Sequence, residues 1–216
     1  MHLFRRQLLL ASAAVLLSCS TAFAQLGTRP ADDWIKTLDS PERIASLKVP
    51  EVVAALDLQP GAVIADLGAG SGPFVPAFAK AVGPGGRVYA VEVDKAFLPH
   101  IEAKAKAAGV TNVKTILGEF TDPRLPTADV DVAFLHDVIH HIQDRPAYLK
   151  SVLKYLKPDG RIVVIDYNPA NSPHNGDASL QVSKEQAGGW LAAIGFVPVR
   201  DVPLAADKWF VIYARR

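Results

Sequence analysis

The sequence predicts an α/β protein of three layers, in which a mostly parallel, doubly wound sheet of seven strands lies between two layers of helices. The 216 residues are 50% hydrophobic and 21% charged, a composition typical of globular domains. From residue 50 onward, short runs rich in β-branched residues alternate with helix-length segments, which indicates parallel strands joined by helical crossovers. Only residues 203–208 separate the last two runs, too few for a crossover helix, so these runs are expected to form a C-terminal antiparallel hairpin.

Taken in chain order, the first 24 residues predict a secretory signal peptide. Arg5 and Arg6 precede an apolar run from Leu8 to Leu17, and Ala22-Phe23-Ala24 offers a cleavage site of the small-x-small type. The apolar run is about half as long as the ~20 residues that a transmembrane helix needs. Cleavage after Ala24 would release a periplasmic or secreted protein without stable membrane insertion.

The single cysteine, Cys19, lies within this leader. It follows Leu16-Leu17-Ser18, a loose match to a bacterial lipoprotein box, so a lipid anchor on Cys19 is the alternative to cleavage after Ala24. One cysteine excludes an internal disulfide framework and a cysteine-based zinc site. The 23 basic and 22 acidic residues balance, which argues against a nucleic-acid partner.

The remaining chain is expected to be an arm over residues 25–48 and a single domain over residues 49–216. Within the arm, Ser40 and Pro41 have the pattern of a helix N-cap followed by a first helical residue. Helices are expected near residues 74–81, 95–108, 145–156 and 183–193, the last beginning with a capping box of Ser183 and Gln186. Strands are expected at Ala62 to Leu67, Arg87 to Val93, Val113 to Leu117, Val130 to Leu135, Arg161 to Tyr167, Phe196 to Val202 and Trp209 to Ala214.

A glycine loop follows the first expected strand and predicts a ligand site. Gly68, Gly70 and Gly72 let the chain adopt positive φ and let a ligand approach the backbone closely. The dinucleotide fingerprint would need a further glycine where Pro73 stands. Asp66, two residues before the first glycine, favours a ligand that carries an ammonium group and no pyrophosphate.

Two further acidic positions stand at the ends of the next strands. Glu92 ends the second strand, where a carboxylate can accept both hydroxyls of a ribose, and Asp94 is a weaker alternative. After the third strand, Glu119 and Phe120 offer a carboxylate and an aromatic face to an adenine. Because ligands of open α/β sheets bind at the carboxyl ends of the strands, these residues are expected to share one pocket.

This set of residues resembles the class I S-adenosylmethionine-dependent methyltransferases over about residues 40–216. The segment from Ile64 to Gly72 is similar to the family's first motif, and the segment from Tyr155 to Arg161 is similar to its "LkPGG" turn, with Asp159 in place of the first glycine. The resemblance implies a Rossmann-like fold and S-adenosyl-L-methionine as the methyl donor. It also implies that the glycine loop and Asp66 hold the methionine part, Glu92 the ribose, and Glu119 the adenine.

The segment after the fourth strand contains three of the six histidines and is the expected place of the chemistry. Small-molecule O-methyltransferases often place their base in an "LHDW"-like sequence here, so the resemblance implies that His140 is the base, with His141 where that pattern has an acid. The alternative is that these histidines form the pocket floor and catalysis is by proximity alone. A metal held by His136, His140 and Asp137 is a weaker alternative, and the favoured interpretation has no metal.

A small-molecule acceptor is the expected substrate. Its pocket is expected to be lined by Trp34, Tyr167, Asn168 and His174. No N-P-P-Y/F tetrapeptide follows the fourth strand, as in enzymes that methylate amino groups of adenine or glutamine, and the cysteine nucleophile of cytosine-5 enzymes is missing. Two other functions stay open: an exported protein that binds S-adenosylmethionine without catalysis, and a nicotinamide-dependent oxidoreductase.

Overall fold

The computed structural model describes residues 29–174 and 176–216. The expected signal peptide and Cys19 lie outside these residues. Ala31–Arg216 form one compact unit. Across the part of the chain that is described, no helix is both long and apolar enough to cross a membrane.

A seven-stranded sheet forms the centre of this unit, with the strand order β3-β2-β1-β4-β5-β7-β6. Strands β1 to β5 pair in parallel, and β7 pairs antiparallel with both β5 and β6, which confirms the predicted sheet and its terminal hairpin. The strand order reverses at β1, and such a switch point leaves a crevice at the carboxyl edge of the sheet. The strands are β1 Val63–Leu67, β2 Arg87–Glu92, β3 Val113–Leu117, β4 Val130–His136, β5 Leu156–Tyr167, β6 Phe196–Asp201 and β7 Lys208–Arg215.

Two helices begin at the residues that the sequence marks as caps. Ser40 accepts a hydrogen bond from the amide of Arg43, and Ser183 and Gln186 form the expected capping box. The helices are α1 Ala31–Leu38, α2 Pro41–Ser46, α3 Val49–Leu56, α4 Val75–Val82, α5 Leu98–Ala107, α6 Arg145–Val152 and α7 Lys184–Ala193.

The boundary between α6 and β5 differs from the prediction. The helix ends at Val152 instead of residue 156, and β5 begins at Leu156 instead of Arg161. Leu156 pairs with Val130 and Arg161 with Val132, so the residues between them form a bulge in the strand. Pro158 and Gly160 disfavour a continued helix, and the bulge accommodates them.

The core has two halves, one on each face of the sheet. Neighbouring residues of a strand point to opposite faces: Val163 packs with Phe78 and Ile101 of the helices on one side, and Val164 packs with Leu149 and Leu191 on the other. All six side chains are fully buried. Helices therefore cover both faces, as the three-layer prediction requires.

The short helices α1 and α2 are fastened to the main body by charged side chains. Asp39, which follows α1, lies 2.7 Å from Nε2 of His100 and accepts a hydrogen bond of 2.8 Å from Nζ of Lys104, both on α5. Arg43 of α2 donates to Asp137, which follows β4, over 3.2 Å. These contacts hold the two helices against the carboxyl edge of the sheet.

Candidate active site

The glycine loop after β1 uses backbone conformations that other residues rarely adopt. Gly68, Gly70 and Gly72 have φ values of 76°, 55° and 73°, and a Cβ atom on Gly68 would lie 2.4 Å from Cγ2 of Val138. On Gly70 it would lie 3.5 Å from Cδ1 of Leu38, the last residue of α1. The loop therefore lies between the segment after β4 and the first helix.

The amides of this loop donate hydrogen bonds within the protein. Those of Gly68 and Ala69 both donate to the carbonyl of Val91 over 2.9 Å, and that of Gly72 donates to the carbonyl of Ala69 over 2.8 Å. A phosphate-binding loop instead directs its amides to the ligand. The arrangement thus agrees with the prediction of a ligand without a pyrophosphate.

Glu92 joins the end of β2 to the glycine loop. One carboxylate oxygen accepts from the amide of Gly70 over 2.9 Å, and the other accepts from the amides of Val93 and Asp94 over 2.7 and 3.3 Å. Burial raises the pKa of Glu92, while the hydrogen bonds from Gly70, Val93 and Asp94 oppose that rise. Asp94, the weaker alternative, is engaged elsewhere because its side chain caps the next helical turn by accepting from the amide of Ala96.

Asp66 lies at the end of the neighbouring strand with its side chain buried. Its Oδ2 atom has no hydrogen-bond partner among the described residues. Burial, and after it the charge of Glu92, raises the pKa of Asp66 to about 8. A cationic group beside this carboxyl would favour its ionised form, as expected for a residue that receives an ammonium group.

The acidic turn after β3 also reaches this part of the sheet edge. The amide of Gly118 donates to the carbonyl of Glu92 over 3.0 Å. Glu119 and Phe120 therefore follow directly after a residue that contacts Glu92. Phe120 is 47% exposed, and the carboxylate of Glu119 pairs with Arg124. Arg124, which was not among the predicted site residues, therefore holds one oxygen of the carboxylate proposed for the adenine.

On the other side of the switch point, His140 forms a buried pair with Asp166. Nδ1 of His140 lies 2.7 Å from Oδ1 and 3.0 Å from Oδ2 of Asp166, at the end of β5. Asp166 also accepts from the amide of Tyr167 over 2.7 Å. Because Nδ1 is engaged, Nε2 is the ring atom of His140 that can act on a ligand. Asp166 was not among the predicted site residues. Its position as an acid within the apolar run of the fifth strand would have indicated a functional role.

Two more histidines surround His140. The rings of His140 and His141 have centroids 4.1 Å apart, and the ring of His174 lies 5.3 Å from each. One ring nitrogen of each residue lies within 4.8 Å of the corresponding nitrogens of the other two. Arg145 donates to the carbonyl of His140 over 2.8 Å and to that of Ser179 over 2.5 Å, and so joins the turn of His140 to the loop that follows His174.

His136 is separate from this cluster. Its ring centroid is 4.9 Å from that of Phe74, and burial lowers its pKa to about 4. Asp137 is held by ion pairs with Arg43 and Lys208. Among the described residues, the histidine group with metal-ligand spacing contains His140 but neither His136 nor Asp137, so the alternative metal grouping drawn from the sequence is not formed.

The residues expected to line the acceptor side lie in different surroundings. Tyr167 lies near the cluster, with its ring centroid 6.3 Å from that of His140, and the ammonium of Lys208 is 3.8 Å from the centroid of Tyr167. The side chain of Asn168 donates instead to the carbonyl of Ala206 over 3.1 Å. Trp34 lies in α1.

Comparison with known proteins identifies methyltransferases among the relatives of this chain. A family model described as a methyltransferase domain matches residues 58–194. The chain is 32% identical over 107 residues to nocamycin O-methyltransferase from Saccharothrix syringae, covering 50% of this chain and 38% of that protein. It is 30% identical over 147 residues to phosphoethanolamine N-methyltransferase 1 from Arabidopsis thaliana, covering 64% and 27%. The chain therefore spans well under half the length of these two relatives.

A solved structure supports the fold over a longer range. A SAM-dependent methyltransferase from Aquifex aeolicus superposes with a TM-score of 0.78 at 24% sequence identity, covering 87% of this chain and 100% of that one. Because the family model spans more than half of the chain and the sheet has the predicted seven strands with a terminal antiparallel hairpin, the chain belongs to the methyltransferase domain family.

Proposed function

We propose that the protein is an enzyme that transfers a methyl group from S-adenosylmethionine to a small molecule. The observation that carries the proposal is the arrangement at one sheet edge. The glycine loop and Glu92 lie on one side of the switch point, and the buried pair of His140 and Asp166 follows β4 and β5 on the other. A donor and an acceptor bound on the two sides would meet in the crevice between them.

The donor side has the groups that S-adenosylmethionine requires. Asp66 supplies a buried carboxyl for the ammonium of the methionine part, Glu92 accepts from the ribose hydroxyls, and the turn of Glu119 and Phe120 faces the adenine. On donor binding, the adenine would replace Arg124 as the partner of Glu119. The ammonium group would give Oδ2 of Asp66 the hydrogen bond that no described residue supplies.

His140 is the group proposed to activate the acceptor, and a hydroxyl is the acceptor group that fits it. Nε2 takes the hydroxyl proton while the oxygen lone pair forms a bond to the methyl carbon. The bond from that carbon to sulfur breaks, and its electron pair passes to the sulfur. The molecule that leaves is therefore the neutral thioether S-adenosylhomocysteine. Asp166 holds the ring and stabilises the imidazolium that forms. The O-methyltransferase among the relatives supports this choice of acceptor.

Calorimetry followed by a transfer assay tests the proposal. We expect the protein to bind S-adenosylmethionine and S-adenosylhomocysteine and not NAD. With a labelled methyl donor and a bacterial extract as the source of acceptors, we expect a labelled small molecule across pH 6 to 9. Binding of NAD alone would instead identify a nicotinamide-dependent oxidoreductase.

The place of action proposed for the enzyme is the periplasm or the outside of the cell. The leader of residues 1–24 supports this proposal, and the same leader favours a second function, an exported protein that binds the donor without transfer. Sequencing the N-terminus of the protein from cells should give Gln25. A lipid-modified Cys19 would establish the anchored alternative, and donor binding without transfer to any acceptor would establish the binding protein.

A further inference from the structure

We propose that His140, His141 and His174 bind a divalent transition-metal ion of the zinc class. The three side chains come from two segments that are far apart in sequence, the turn after β4 and the loop after β5, yet their rings lie within 5.3 Å of one another by centroid. Sites made only of imidazole nitrogens suit zinc, copper, iron and nickel.

The spacing of the ring nitrogens is close to what a metal needs. The three candidate ligand atoms lie within 4.8 Å of one another. A tetrahedral zinc ion with bonds of about 2.0–2.1 Å separates its nitrogen ligands by about 3.3 Å. Ring rotations that move the nitrogens by about 1 Å would therefore close the site, and His174, which is only partly buried, has room to make that movement.

The groups around His140 are those that support a metal ligand. A metal-bound histidine usually donates its other ring N–H to a carboxylate, which fixes the tautomer and leaves the second nitrogen for the metal. Nδ1 of His140 lies 2.7 Å from Asp166, so Nε2 is the atom that would bind. Arg145 joins the backbone of His140 to Ser179 and so keeps the two ligand-bearing segments together.

Three protein ligands leave one coordination position open, which is typical of catalytic zinc sites and not of structural ones. The consequence for the acceptor rests on the function proposed above. In the metal-bound enzyme, Nε2 of His140 would be a ligand and not the proton acceptor. A metal at this site would lower the pKa of an acceptor hydroxyl, so that the proton could pass to solvent as the oxygen attacks the methyl carbon and the bond from that carbon to sulfur breaks.

Metal binding is tested on protein without a histidine tag, stripped with a chelator and titrated with Zn²⁺ by calorimetry. We expect one equivalent to bind. His141→Asn and His174→Asn should each weaken zinc binding by at least 100-fold, more than the tenfold to 100-fold loss expected for Asp166→Asn, which changes only the orientation of His140. Cobalt added in place of zinc should give the visible absorption of a four- or five-coordinate site, and the two ligand variants should lose it.

His100→Asn is the matched control, because His100 lies on α5 and contacts Asp39, and it should bind zinc as the unmodified protein does. Failure of the unmodified protein to bind stoichiometric zinc at micromolar concentration would overturn the proposal. The proposal would also be overturned if His141→Asn and His174→Asn bound zinc as tightly as the unmodified protein does. These results do not depend on methyl transfer, whereas full activity after chelation would favour His140 acting alone as the base.

Discussion

Among single residues, Glu92 has two roles, and a substitution that keeps its size tests both of them. Its carboxylate shapes the glycine loop through Gly70 and, in the proposed complex, accepts from the ribose. Glu92→Gln keeps the size of the side chain but loses the charge that both roles use. We expect S-adenosylhomocysteine to bind about 1–3 kcal/mol more weakly, the cost of losing hydrogen bonds to a charged group, as measured by calorimetry.

Glu102→Gln is the control for this substitution. Glu102 is an exposed residue of α5 whose carboxylate accepts from Thr115, so the same chemical change there should leave the affinity unaltered. Unchanged affinity in Glu92→Gln would contradict the donor site assigned above.

Asp66 predicts a pH dependence of stability in the ligand-free protein. Its pKa of about 8 is well above the value of about 3.9 in an unfolded chain. Between pH 4 and pH 8 the folded protein therefore holds a proton that the unfolded chain has lost, and the free energy of unfolding falls as the pH rises through this window.

Asp66→Asn removes this titration and should flatten the pH dependence. Denaturant unfolding at pH 5 and pH 8 should show at least about 1 kcal/mol less change in the variant than in the unmodified protein, since each pKa unit corresponds to about 1.4 kcal/mol. Equal changes in the two proteins would mean that Asp66 is ionised in the fold.

The sequence could predict the site residues that follow directly from strand ends. Asp66 and Glu92 stand at the ends of recognisable strands and His140 follows shortly after another, so the parallel sheet brings them to one edge. The pairing of Asp166 with His140 was not predicted, because it depends on β5 lying beside β4. The approach of His174 to His140 also depends on the path of a loop, which leaves no periodic signal in the sequence.

Among the structural elements, the glycine loop gives the sharpest prediction of a packing effect. Gly68→Ala places a methyl group 2.4 Å from Cγ2 of Val138 at a φ of 76°. The left-handed conformation costs about 1–2 kcal/mol and the overlap about 1–3 kcal/mol more. We expect urea unfolding to show a loss of about 2–5 kcal/mol in the free energy of unfolding.

Gly109→Ala separates these two effects. Gly109 has a φ of 69° but no atom within 4 Å of the added methyl group, so only the conformational cost of about 1–2 kcal/mol should appear. Adding Val138→Ala to Gly68→Ala should recover the part caused by overlap. A loss in Gly68→Ala no larger than in Gly109→Ala would show that the loop yields to the methyl group.

Helices α1 and α2 are expected to depend on Asp39. Asp39→Asn removes the ion pair with Lys104 and weakens the contact with His100, at a cost on the order of 1 kcal/mol for a partly buried charged group. Amide hydrogen exchange in residues 31–47 should then become about fivefold faster by mass spectrometry.

The control is Asp33→Asn on the exposed face of α1, where the pair with Lys36 should contribute too little to change the exchange of the helix. Unchanged exchange in Asp39→Asn would mean that the contacts of Asp39 do not hold α1 and α2 in place.

The strands were more predictable than the boundaries of the chain segments around them. A buried parallel strand is a short β-branched run, and β3 was predicted at the same residues that it occupies. The start of β5 was missed because a bulge has no hydrophobic period of its own. The docking of α1 and α2 was also missed, since it rests on a few long-range charged contacts such as that of Arg43 with Asp137.

For the molecule as a whole, the sheet divides the proposed function between its two sides. Strands β1 to β3 carry the residues proposed for the donor, and β4 and β5 carry those proposed for the acceptor. The mostly parallel sheet and its terminal hairpin were predictable because helical crossovers and a short terminal connection allow few topologies. The sequence placed His140, His141 and His174 on the acceptor side but could not indicate how closely their rings approach one another.

The position of β7 has a consequence for how the chain is made. β7 lies between β5 and β6, so β6 joins the sheet only after the later strand has been synthesised. Until then, the backbone groups along one side of β5 lack a partner, and such an edge readily pairs with strands of other chains. The nascent protein should therefore aggregate most readily just before residues 208–215 emerge from the ribosome, and a chaperone that covers β5 would be most useful then.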